Sequence, residues 1–95
     1  MTGVNLSNAT IIDVREPHEC NFGMAKNAMN IPLNQVIHMV DEINAMPKPI
    51  LLYCQSGNRS GHATLMLKAR GVTEIYNAGG LSDILRVQNA SSVAV

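Results

Sequence analysis

Short β-capable segments alternate along this chain with stretches whose apolar residues recur every three or four positions. The segments at about 11–14, 28–31, 50–53 and 74–77 are too brief for helices and read as strands, the run Ile50-Leu51-Leu52-Tyr53 being apolar throughout, as in a strand buried on both faces. Between them, Leu33, Val36, Ile37, Val40, Ile43 and Met46 give an amphipathic helix that must end before Pro47-Lys48-Pro49. A short helix is expected from about Pro17, since proline is tolerated in a first turn. Another spans Ser60 to Arg70 and is stopped by Gly71, with Gly61 permitting close approach to a sheet. Strands alternating with helices predict an α/β fold whose mainly parallel central sheet is covered by helices on both faces.

The rest of the chain adds no second unit. Its 95 residues suffice for one modest core, and no linker, repeat or low-complexity block divides them. The expected domain is residues 1–95, with its core at about 10–85 and a weakly patterned, loosely packed tail at about 86–95. Aromatic residues are few, so aliphatic side chains and fillers such as Met39 and Met46 must close the interior. A formal net charge of +0 leaves no electrostatic footprint for nucleic acid or an anionic membrane. No segment is long enough to span a bilayer, and Met1 to Ala9 lacks a secretory pattern, so a cytoplasmic location is expected. A chain already stripped of a signal peptide would read the same and belong to the periplasm.

Two cysteines, Cys20 and Cys54, make neither a disulfide framework nor, with His18, His38 and His62, a zinc-ligand spacing. No metal and no cofactor is expected. Cys20 reads as a structural residue and His62 as a solvent-facing one. Cys54 differs, because it ends the buried strand and is followed by Gln55-Ser56-Gly57-Asn58-Arg59-Ser60 and then a helix. A loop between a strand and a helix N-terminus carries unpaired N–H groups backed by the helix dipole, which suits an anion. The same donors and the Arg59 cation would favour a thiolate over a thiol. That makes Cys54 the candidate nucleophile at the mouth of the cradle. Asp13 and Arg15, at the end of the first strand, read as an ion pair supporting the loop, since buried charges need partners.

Four segments, in order, resemble the rhodanese-like sulfurtransferases, and in particular their small single-domain members of the phage-shock-protein-E type. They are Ile12-Asp13-Val14-Arg15-Glu16-Pro17-His18-Glu19, Ala28-Met29-Asn30-Ile31-Pro32-Leu33, Cys54 to Arg59, and Asn77-Ala78-Gly79-Gly80-Leu81-Ser82-Asp83-Ile84. The resemblance implies a rhodanese-like three-layer fold, with a further short strand and a closing turn at Gly79-Gly80. It implies that Cys54 takes a sulfane sulfur from thiosulfate or a persulfide, becomes a persulfide, and passes the sulfur to cyanide, a thiol or an acceptor protein. Gln55, Ser56, Gly57, Asn58, Arg59 and Ser60 would bind the substrate. The four residues between Cys54 and Arg59 accompany sulfur substrates in this family, whereas related phosphatases place five there.

The chain departs from the family at three positions: Gln55 stands where a basic residue is common, Met24 where a histidine is, and Ile84 where a tryptophan is. The first leaves Arg59 as the one loop cation and implies weak binding of a dianionic donor. Two other readings remain open at this point: a persulfide carrier that serves a partner protein without turning over by itself, and a phosphatase.

Overall fold

The computed structural model describes residues 6–93. A turn of 3-10 helix at Leu6–Asn8 leads into β1 (Thr10–Asp13), followed by α1 (Pro17–Cys20), β2 (Met29–Asn30), α2 (Leu33–Val36), α3 (Val40–Asn44), β3 (Ile50–Cys54), α4 (Asn58–Ala69), β4 (Ile75–Gly80) and α5 (Leu81–Val93). The strands form one sheet in the order β2-β1-β3-β4, every neighbouring pair parallel. Parallel neighbours require crossovers, and the helices supply them.

The side-chain period of two divides the strands between two apolar layers. Ile12, Val14, Ile50, Leu52 and Cys54 point to one face, where Val36, Ile43, Ala63 and Leu67 of α2, α3 and α4 cover them. Ile11, Leu51 and Tyr53 point to the other, against Ala25 and Ile84. All five residues of β3 are buried, which is why the sequence there is apolar without alternation. Cys54 is the last of them, on the α4 side of the central strand, at the carboxyl end where ligands bind in open α/β sheets.

Three expectations are corrected. The stripe from Leu33 to Met46 is core, as its spacing requires, but it is carried by two short helices. The amides of His38 and Met39 bond to Gln35 and Val36, closing α2 in a tight turn, and Ile43 reaches back to Met39 to begin α3. The bend lets Val36 and Ile43 both enter the same layer. Secondly, the tail forms the continuous helix α5 as far as Val93. Ile84 is fully buried, and Gln88 exchanges two hydrogen bonds with the Lys26 backbone, at 3.1 and 2.8 Å, so one face of the helix is anchored. Finally, the described residues contain four strands, and Gly79-Gly80 lies within β4. The further short strand implied by the resemblance is not among them.

The placement of Gly79-Gly80 has a local cause. The register of β3 and β4 slips after Leu52, so that Leu52 faces Asn77 while Tyr53 faces Gly79 and Cys54 faces Gly80. The extra residue is a β-bulge, which bends the strand and re-aims the residues beyond it. It brings Gly79, at φ 95°, and Gly80 against the cysteine loop. A Cβ on Gly80 would lie 2.5 Å from the Gln55 carbonyl oxygen, so only glycine fits this crossing.

Candidate active site

β3 delivers Cys54, and the chain turns at once into α4 through Gln55, Ser56 and Gly57. Gly57 takes φ 99° at the helix N-cap, a left-handed conformation that glycine adopts without penalty. This aims backbone N–H groups back at the sulfur. Gly57 N–H donates to Cys54 Sγ at 3.0 Å, Ser60 N–H at 3.4 Å, and the Ser60 hydroxyl lies 3.4 Å away. Cys54 has no solvent-exposed surface. The thiol therefore sits on the floor of the cradle, beneath the loop, where the sequence reading put it at the mouth.

Burial pushes the Cys54 thiol up, but the Ser60 hydroxyl and the N–H groups of Ser60, Gly57 and Ser56 outweigh it and hold the pKa below the ordinary thiol value. The thiolate therefore persists below the ordinary thiol range and is lost as pH falls through the lowered value. Ser60→Ala removes one donor and is expected to leave about tenfold less thiolate at a fixed pH below the midpoint. The ultraviolet absorbance of the thiolate, taken against Cys54→Ser, measures this.

The remaining loop residues divide their attention. Arg59 forms a two-point pair with Glu19 of α1, Nη1 to Oε1 at 2.6 Å and Nη2 to Oε2 at 2.8 Å, within the influence of the Cys54 charge. The pair drives the Glu19 carboxyl down to about 2. Arg59, the one cation of the loop, is thus charge-paired with Glu19. Gln55 Oε1 accepts from Arg15 Nη1 at 3.2 Å. Ser56 pairs with Gly80 in an isolated antiparallel bridge, and Asn58 opens α4 at the surface.

Under the loop, Arg15 and Asp13 form the expected ion pair, Nη2 to Oδ2 at 2.7 Å, with side chains only 2% and 0% exposed. Arg15 also donates to the Gly23 carbonyl at 2.6 Å and lies over the Tyr53 ring. Tyr53 Oη in turn accepts from Ala25 N–H at 2.9 Å. Cys20, half-buried with Sγ 3.5 Å from Asp13 Oδ2, is pushed up by burial and by that carboxylate, a setting for an inert thiol. His18 and His62 are exposed.

Two residues at the site were not singled out from the sequence. Glu19 lies one helical turn beyond Arg15, and its N-terminal position on α1, where Oε1 accepts from Glu16 N–H at 2.9 Å, is the local signal it offers. Asn77 is a polar residue two positions before the paired glycines in a strand. It donates from Nδ2 to the Gly57 carbonyl at 3.1 Å, and its Oδ1 is 2.7 Å from Ser60 Oγ.

A shallow cavity of about 390 Å³ lined by Ile37, His38, Val40, Asp41, Glu42 and Arg70 shares no residue with this loop. Among the described residues, no group of three or more His, Cys, Asp or Glu is placed to hold a metal ion, and no helix is long and apolar enough to cross a membrane.

A buried cysteine held by a strand-loop-helix cradle at the carboxyl edge of a parallel sheet defines a class of α/β cysteine domains. Within it, the chain belongs to the rhodanese-like domain family, whose model matches residues 3–86. It is 49% identical over 72 residues to the uncharacterized protein YqhL of Bacillus subtilis strain 168, covering 76% of this chain and 56% of that one. It is 38% identical over 76 residues to the thiosulfate sulfurtransferase PspE of Escherichia coli strain K12, covering 77% of this chain and 71% of that one. The solved structure of an E. coli rhodanese with anions superposes with a TM-score of 0.65 at 34% identity, over 79% of this chain and 89% of that one. The chain thus spans little more than half the length of one of these relatives and most of the others.

Proposed function

We propose that this domain is a sulfurtransferase that carries sulfane sulfur on Cys54 as a persulfide. The observation that carries the reading is the convergence of Gly57 N–H, Ser60 N–H and Ser60 Oγ on one buried sulfur within a loop of four residues before Arg59. In the first half-reaction the Cys54 thiolate attacks the outer sulfur of thiosulfate, the S–S bond breaks, and sulfite leaves with the electron pair. In the second, cyanide or a thiolate attacks the terminal sulfur of the persulfide. The Sγ–S bond breaks, thiocyanate or a new persulfide departs, and the Cys54 thiolate is restored. This is double displacement through a covalent intermediate. The inward N–H groups stabilise charge on Sγ at its start and end, and no separate general base is needed.

A second reading is favoured by two features. The sulfur is covered, and the loop arginine is already paired with Glu19, so a free dianion meets little unpaired positive charge. A partner protein that opens the loop and hands over sulfur by contact would suit a carrier role. Thiocyanate formation from thiosulfate and cyanide, with the intact mass recorded after donor treatment, separates the two. Turnover with a mass gain of one sulfur is the expected result. A mass gain without turnover supports the carrier, and neither signal from a protein with a reduced, reactive Cys54 overturns the thiosulfate reading.

A further inference from the structure

The Ser60 hydroxyl has one proton and four acceptors near it. Asn77 Oδ1 is closest at 2.7 Å, followed by the Gly57 carbonyl at 3.3 Å, and then Cys54 Sγ and the Gly79 carbonyl, both at 3.4 Å. The amide of Asn77 can stand only one way round. Its Oδ1 accepts from Gly79 N–H at 3.0 Å and its Nδ2 donates to the Gly57 carbonyl at 3.1 Å, and a flip would set donor against donor and oxygen against oxygen. Oδ1 can therefore only accept from Ser60. When Sγ is uncharged, the 2.7 Å partner takes the hydrogen bond. When Sγ is a thiolate, a charge-assisted bond to sulfur competes with it.

We propose that Asn77 is a positioning residue that acts on Cys54 through Ser60, holding the hydroxyl proton while Sγ is uncharged and releasing it when the sulfur becomes a thiolate. No covalent bond changes; the Ser60 O–H turns about its C–O bond. In a sulfur hand-off, which rests on the proposed sulfurtransferase activity, the hydroxyl points to Asn77 in the persulfide and swings to Sγ as the departing electron pair arrives there. The bulge in β4 makes the device possible, because it sets Asn77 opposite Leu52 and turns Gly79 back onto the loop. The charged groups facing the loop are Arg59 with Glu19 from α1, Arg15 with Asp13 from β1, and Asp83 at the start of α5, and substitutions at Asn77 and Ser60 leave all of them in place.

The test is a thiolate absorbance titration of the native protein, Asn77→Asp, Ser60→Ala and the double variant, each measured against its counterpart carrying Cys54→Ser. It needs no sulfur donor, so its outcome is independent of whether sulfur transfer is the activity. Aspartate keeps the Oδ1 acceptor and strengthens its hold on the proton, while its second oxygen meets the Gly57 carbonyl and its charge acts on Sγ with or without Ser60, so Asn77→Asp is expected to leave at least about tenfold less thiolate at a fixed pH below the midpoint. In the Ser60→Ala background that effect should fall to less than half. An equal shift in both backgrounds, or none in either, overturns the proposal. Should the aspartate variant fail to fold, Asn77→Ala serves. Loss of the competing acceptor should move the midpoint down when Ser60 is present and leave it in place when Ser60 is alanine, and any other pattern counts against the proposal.

Discussion

Cys54→Ser is expected to abolish both halves of the proposed reaction. Thiocyanate formation should fall by on the order of 10⁴-fold or more, to the rate without protein, and the intact mass should not change after donor treatment. The donors of the loop that shift a thiol downward act on a group whose ordinary pKa is near 8.5, whereas the same bonds leave a serine hydroxyl protonated at any working pH. The substitution suits the site sterically. A hydroxyl is smaller than the sulfur it replaces and faces the same Gly57 and Ser60 N–H groups, so the variant should unfold close to the native midpoint. Cys20 is then the only cysteine left. A one-sulfur mass gain in this variant would place the chemistry on Cys20 and sink the assignment to Cys54.

The second large effect lies beneath the loop. Asp13→Asn leaves the Arg15 guanidinium buried without its countercharge, and breaking a buried pair from one side typically destabilises by about 3–5 kcal/mol. Such a loss is a large share of the stability of a domain this small and should show as a marked drop in denaturant midpoint. The acid limb provides an independent check. Burial pushes the Asp13 carboxyl up, but its bonds from Arg15 and Tyr53 outweigh that and hold it below the ordinary carboxylate value. Its contribution is therefore complete above the ordinary value and lost as pH falls through the lowered one. Asp13→Asn should flatten that part of the pH profile. Replacing both residues by apolar ones should recover much of the stability, because no charge is stranded. It should not recover the loop, since Gln55 and the Gly23 carbonyl lose their partner in Arg15. A double variant as unstable as the single one would show that the pair is not what matters.

Most of the scaffold was legible because it rests on local periodicity. The unbroken apolar run of β3, the stop at Gly71 and the stripe of core residues from Leu33 to Met46 each arise from side-chain spacing and turn chemistry. The break of that stripe into α2 and α3 was not, since both shapes bury Val36 and Ile43. Nor was α5 beyond Ile84, whose anchor is a pair of bonds between Gln88 and Lys26, 62 residues apart in the chain. The candidate site shows the same division. Cys54, Gly57, Arg59 and Ser60 form one contiguous loop, so their meeting could be foreseen. What Arg59 does with its charge depends on Glu19, 40 residues away, and what Ser60 does with its proton depends on Asn77 across a bulge. Loop composition predicts a cradle; only tertiary structure says which of its polar groups are already engaged.

If the loop receives the sulfur donor as proposed, the pairing of Arg59 with Glu19 also governs how that ligand arrives. A lone guanidinium at a pocket entrance would pull anions in from a distance comparable to the Debye length, and added salt would weaken that pull. Here the opposite charge sits 2.6 Å away and the whole chain is formally neutral, so little field extends into solvent. Selection among encounters then happens at contact, through the short reach of oriented amides. Ionic strength should matter far less to such a domain than the shape of whatever comes to lie over its loop.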